Sequence, residues 1–95
     1  MVVSILHMVI YLPGVSSLKE KRRIIVSLKD RVRNKYKLSI AEVGSNDIWH
    51  TCELGCAIVS NSHSFGETIL HKVINFSEET LALTIQSVRV FSEHY

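Results

Sequence analysis

Between Val2 and Leu12 apolar residues fall on both parities, with Leu6, Met8, Ile10 and Leu12 on one and Val3, Ile5, Val9 and Tyr11 on the other. Period two predicts a strand, and apolar residues on both parities predict that both its faces are covered. Pro13-Gly14 stops it. Ser17 with Glu20 three residues later fits a capping box, in which hydroxyl and carboxylate each satisfy a free backbone donor at a helix start. The helix runs to about Tyr36, with Leu18, Ile25, Leu28, Val32 and Tyr36 in one stripe. Leu38 to Val43 reads as a second strand, Gly44-Ser45-Asn46-Asp47 as a turn, and Trp49 to Ser60 as a third strand that completes a hairpin. Asn61, Ser62 or Ser64 caps a second helix to about Phe76, packed through Phe65, Ile69 or Leu70, and Val73. The last strand, Leu81 to Phe91, has Leu83 and Ile85 on one parity but Val88 and Val90 on the other, which a bulge or a shifted boundary explains.

The order is βαββαβ, uninterrupted by repeat or linker. It predicts a single α+β domain over residues 1–95, a ferredoxin-like sandwich with both helices on one face of a four-stranded antiparallel sheet. The other sheet face then carries Ile5, Val9, Tyr11, Ala57 and Val59, which is much apolar surface to leave in water. A homo-oligomer joined through Ile5, Val9, Tyr11 and Val59 is expected.

Ninety-five residues at 46% apolar content can build one core without metal or disulfide. Cys52 and Cys56 lie on one strand face about 13 Å apart, too far to bridge, so reduced buried thiols are expected. No run spans a membrane and no export leader is visible, so the expected compartment is cytoplasmic.

The net charge of +2 conceals a segregation: Lys19 to Lys37 holds nine cations against Glu20 and Asp30, or +7. Such an element attracts polyanions without reading their sequence. Lys19, Lys21, Arg22, Arg23, Lys29, Arg33 and Lys37 are the candidate RNA contacts. Lys21 sits close to the apolar stripe, and Glu42 shares parity with Leu38 and Ile40. A pair between Lys21 or Arg22 and Glu42 is therefore expected where the first two strands end and the first helix and third strand begin. Lys21, Glu42, Asp47 and Trp49 form a structural or docking edge there.

PGVSSLKEKRR, SLKDRVRNKY, AEV, Asp47-Ile48-Trp49 and LGCAIVSN resemble the small bacterial YlxP-like proteins of unknown function, over the first two thirds of the chain. The resemblance implies a ferredoxin-like fold and genes that lie beside those for translation initiation and ribosome maturation factors. It brings no catalytic residues. The chain departs from the pattern at Gly44, where relatives often carry an acid, and at His50, where an amide is usual.

Enzyme signals are weak. His7, His50, His63, His71 and His94 are scattered, so no metal or other cofactor is expected. No glycine-rich phosphate loop occurs, and PGVSS lacks the arginine of an acylphosphatase loop. Ser60, His63 and Glu67 have no elbow motif. The Glu53 to Val59 part of the third strand has no aromatic where a base would stack in RNA-recognition domains, so stacking on the sheet is not expected. The expected function is a non-enzymatic accessory protein that binds structured or ribosomal RNA through the first helix. The alternative is a homo-oligomeric interaction module whose basic helix only solubilises, and a weaker third reading is an enzyme at the Lys21-Glu42-Trp49 edge.

Overall fold

The computed structural model describes residues 1–81 and 84–95. Six elements follow in the expected order: β1 (Val2–Tyr11), α1 (Leu18–Tyr36), β2 (Ser39–Gly44), β3 (Thr51–Ser60), α2 (His63–Leu81) and β4 (Thr84–His94). The strands make one sheet in the order β2-β3-β1-β4 with every neighbouring pair antiparallel. Leu6, Met8 and Ile10 of β1 and Cys52 and Leu54 of β3 share one core with Ile25, Leu28 and Val32 of α1 and Leu70, Val73 and Ile74 of α2. Both helices therefore cover the same face, and the fold is a ferredoxin-like sandwich. The opposite face of β1 is only half-buried, so one parity of that strand is covered in the monomer rather than two.

Ser17 caps α1, its hydroxyl accepting from Glu20 N at 3.1 Å. The reciprocal half of the box differs from expectation. Glu20 Oε2 accepts from Ser16 N at 3.3 Å and Ser16 Oγ at 3.1 Å, because Ser16 offers two donors one residue further out. At the other end Lys37, in the left-handed region at φ 54°, donates its N–H to Arg33 O at 3.0 Å and ends the helix.

Three expectations about the C-terminal half need correction. Ser62 is the residue that caps α2, accepting from Phe65 N, but Phe65 is exposed and Gly66 is buried in its place. A side chain at Gly66 would collide with Ser4 Oγ and stand 2.7 Å from Ser4 Cβ, so the missing Cβ is what lets α2 approach β1. The helix also passes Phe76 and continues to Leu81, since Ser77 turns inward and donates to Val73 O at 2.7 Å instead of breaking the turn. The last strand accordingly starts at Thr84 and reaches His94. Its parity switch is a bulge, because Ile85 pairs with Ile10 and Ser87 with Val9, leaving Gln86 extra. Leu83 lies outside the described residues.

Candidate functional site

On α1 the core stripe contains Lys21, Ile25, Leu28 and Val32. At 100° per residue, Arg22, Lys29 and Arg33 share one flank of that stripe, with Lys19 and Lys37 behind them and Arg23 on the outer face. Arg33 fixes the direction of the flank: Nη2 donates to Ile40 O at 3.2 Å, beside the edge strand β2, while Nη1 donates to the exposed Asp30 at 3.1 Å. Among the described residues no carboxylate pairs with Lys19, Arg22, Arg23, Lys29 or Lys37. Lys35 is occupied differently, its Nζ lying 4.7 Å from the centroid of the Phe76 ring.

Lys21 leaves the set of RNA candidates. It is 1% exposed, and its ammonium donates to Ser45 O at 2.6 Å and Ile48 O at 2.7 Å. Its third neighbour is Glu42, whose Oε2 stands 2.8 Å away as an ion pair, at an angle too poor for a directed hydrogen bond. The expected pair thus forms, with Lys21 rather than Arg22, and its cation also holds the β2–β3 loop from below. Leu12 N donates to His50 O at 2.9 Å and ties the far side of that loop to the end of β1.

Asp47 and Trp49, the other two residues of the edge, do not join the pair. Both are exposed, and with Ile48 and His50 they line a hollow of about 230 Å³. The His50 ring meets Trp49 at 72° and Tyr11 at 82°, each edge to face with centroids 6.4 Å apart. The structure therefore divides the predicted edge into an inner lock, Lys21 and Glu42, and an outer aromatic loop.

On the open sheet face Ile5 and Val9 are half-buried, Tyr11 is exposed at the end of β1, and Val59 is 64% exposed. Phe91, missing from the expected interface, lies on this face opposite Ile5 and is 42% exposed. Only the bulge position assigns it there, and neither Leu83 nor Val88 reveals that position from the sequence. Ser39, Ala57, Ile5 and Phe91 form one row across the sheet. At its β2 side small residues leave a hollow of about 280 Å³ lined by Ile5, Ser39, Ala41, Gly55 and Ala57. Further along, Glu53 accepts from Ser45 Oγ at 2.8 Å and meets His7 Nε2 at 3.2 Å. The Ser45 hydroxyl, aided by His7, holds the Glu53 carboxyl below its ordinary value of 4.5 against partial dehydration.

Residues 3–90 match the model of a family described as "Protein of unknown function (DUF503)". The chain belongs to this family. It is 42% identical over 60 residues to "Uncharacterized protein YlxP" of Bacillus subtilis (strain 168), an alignment covering 63% of this chain and 65% of that relative. The aligned part therefore spans just under two thirds of the relative's length.

For this family member the chemistry available at each site is limited in kind. Burial pushes the Cys52 thiol up to about 12, with the Glu42 charge adding to it, and burial alone does the same to Cys56. Both are inert as thiolates at neutral pH. Among the described residues no three His, Cys, Asp or Glu side chains are grouped to hold a metal ion, and no helix is long and apolar enough to cross a membrane. Of Ser60, His63 and Glu67, which no elbow motif joins, Glu67 accepts from Ser92 Oγ at 2.6 Å and Ser60 Oγ donates to Ser62 O. What the surface offers is fixed positive charge and exposed aromatic area.

Proposed function

We propose that this protein is a non-enzymatic accessory factor that meets structured RNA, ribosomal RNA included, through the basic flank of α1. The observation that carries the reading is the set Lys19, Arg22, Arg23, Lys29 and Lys37, which lie at the surface or half-buried on the outside of the sandwich without a carboxylate partner among the described residues. Uncompensated cations on a rigid helix retain their full attraction for phosphate and release counterions on contact. From Lys19 to Lys37 they extend about 27 Å along the axis at 1.5 Å per residue. For about five phosphate contacts affinity should fall roughly 100-fold or more between 50 and 200 mM salt. Charge reversal at Arg22, Arg23 and Lys29 should abolish binding while the far-ultraviolet dichroism stays unchanged. Co-sedimentation with ribosomal subunits at those two salt concentrations checks it; a wild-type chain that fails to sediment at the lower one ends the reading.

A second reading, self-association through the open sheet face, is favoured by the row Ser39-Ala57-Ile5-Phe91. A twofold axis along the strands, between β1 and β3, would set β4 of each copy over β2 of the other. Phe91 of one copy would then enter the hollow floored by Gly55 and Ala57 of its partner, covering Ile5, Val9 and Val59 as well. Light scattering on Ile5→Glu tests this geometry: the mass should halve, and an unchanged mass rejects the interface. The two readings use opposite sides of the molecule and are compatible.

A further inference from the structure

We propose that the β2–β3 loop is a cradle for one unstacked nucleobase, with the indole of Trp49 as its stacking platform. The inference rests on the RNA reading of α1 and names what a sequence-blind basic flank lacks, a site for a base. Four observations support it.

Trp49 is 48% exposed, although a tryptophan in a domain of this size normally finds cover. Its ring neighbour His50 meets it edge to face, so among the described residues no aromatic ring stacks parallel on the indole. The hollow of about 230 Å³ that it lines with Asp47, Ile48 and His50 accommodates a planar heterocycle.

The loop is also built to stay in place. Two of its carbonyls, Ser45 O and Ile48 O, accept from the buried Lys21 ammonium, His50 O accepts from Leu12 N, and the Ser45 hydroxyl is held by Glu53. An exposed aromatic on a loop fixed at three points is a preorganised contact, which loses little freedom on binding.

Position completes the case. Lys21 belongs to the first turns of α1, one residue before Arg22, so the loop rests against the start of the basic flank. Arg33 lies beside β2 at the other end of that flank. A strand whose phosphates follow Lys29 and Arg22 towards the start of α1 therefore passes Trp49 as it leaves the helix. Asp47 lines the same hollow: its carboxylate repels phosphate, which keeps the backbone on the α1 side, and accepts from the amino edge of a base. Basic groups followed by an aromatic platform are the usual means of holding single-stranded nucleic acid.

Trp49 is the chain's single tryptophan, so its emission reads the site directly. The full chain is titrated with a fluorescein-labelled RNA hairpin carrying an unpaired loop, and with a blunt RNA duplex of equal charge, following label anisotropy and Trp49 emission separately. The expected result is that both RNAs raise anisotropy but only the hairpin quenches Trp49. Trp49→Leu should weaken hairpin binding about 5- to 100-fold, the worth of one stacked base, leave the duplex and the salt slope unaltered, and be largely rescued by Trp49→Phe. Hairpin binding without quenching, at wild-type affinity in Trp49→Leu, overturns the cradle and leaves α1 as the RNA surface. No anisotropy change with either RNA at low salt overturns both readings. With 5-fluorotryptophan at position 49, a fluorine resonance that shifts in a nuclease-treated extract and not on RNA overturns the cradle in favour of a protein partner.

Discussion

Glu42 and Glu53 stand on neighbouring strands, and both bear on Ser45, yet they face opposite sides of the sheet. Glu42 points into the sandwich, is 16% exposed on its side chain, and shares the Lys21 ammonium with Ser45 O and Ile48 O. Glu53 points to the open face and accepts from the Ser45 hydroxyl and the His7 ring. The loop is thus held by charge from beneath and by a carboxylate from above. The difference lies in solvent. An ammonium with three oxygen neighbours in a dry interior cannot be replaced by water, whereas a half-exposed carboxylate can exchange its partners for water at small cost. The inner lock should govern whether the loop exists, and the outer one only how firmly it is held.

Lys21→Met is the severest test of that contrast. It leaves Glu42 as an unpaired carboxylate and two carbonyls without their donor, and removal of one partner from a buried pair costs about 3–5 kcal/mol. Urea denaturation should show the loss as a lowered midpoint. Adding Glu42→Leu to Lys21→Met should recover part of it by removing the stranded charge, but not the part owed to Ser45 O and Ile48 O. Thiol labelling sharpens the comparison, because Cys52 lies within the field of both Glu42 and Lys21 whereas only burial protects Cys56. In Lys21→Met the Cys52 thiol loses the cation that lowers it while Glu42 still raises it, so Cys52 should label more slowly relative to Cys56 than in the wild type. A loss below about 1 kcal/mol would mean that the pair is surface-like in energy despite its burial.

The inner lock was legible in the sequence and the outer one was not, for reasons of range. A cation at helical spacing inside an apolar stripe is a local anomaly, and Glu42 lies on the core parity of its own strand, so two short patterns sufficed to join Glu42 to Lys21 or its neighbour Arg22, and the structure selects Lys21. The grip on Ser45 O and Ile48 O involves backbone carbonyls, which no residue type announces. His7 and Glu53 are ordinary polar residues on an alternating face; their meeting depends on the β1–β3 register, in which His7 faces Gly55 and Glu53 faces Val9. Element order followed from periodicity and turn residues because each signal spans fewer than a dozen positions. Phe65 and Gly66 illustrate the limit: the pattern favoured the aromatic for the core, but close approach to Ser4 selected the residue without a side chain.

The smallest expected effect is at Glu53, and its sign with pH is specific. The Ser45 hydroxyl first, then His7, hold the folded carboxyl below the 4.5 of the unfolded chain. Between those two values the unfolded state binds more protons, so the carboxylate's contribution to stability is complete above 4.5 and disappears as pH falls through the lowered folded value. Thermal unfolding of the wild type and of Glu53→Gln, compared across pH, isolates the term. The wild type should melt slightly higher at neutral pH, and the gap should close on acidification below 4.5. Because the Ser45 bond to Glu53 is local and its donor neutral, the gap at neutral pH should persist as salt is raised. A gap that widens in acid would mean that Glu53 is held protonated by its neighbours, and would reverse the assignment of Ser45 Oγ as donor.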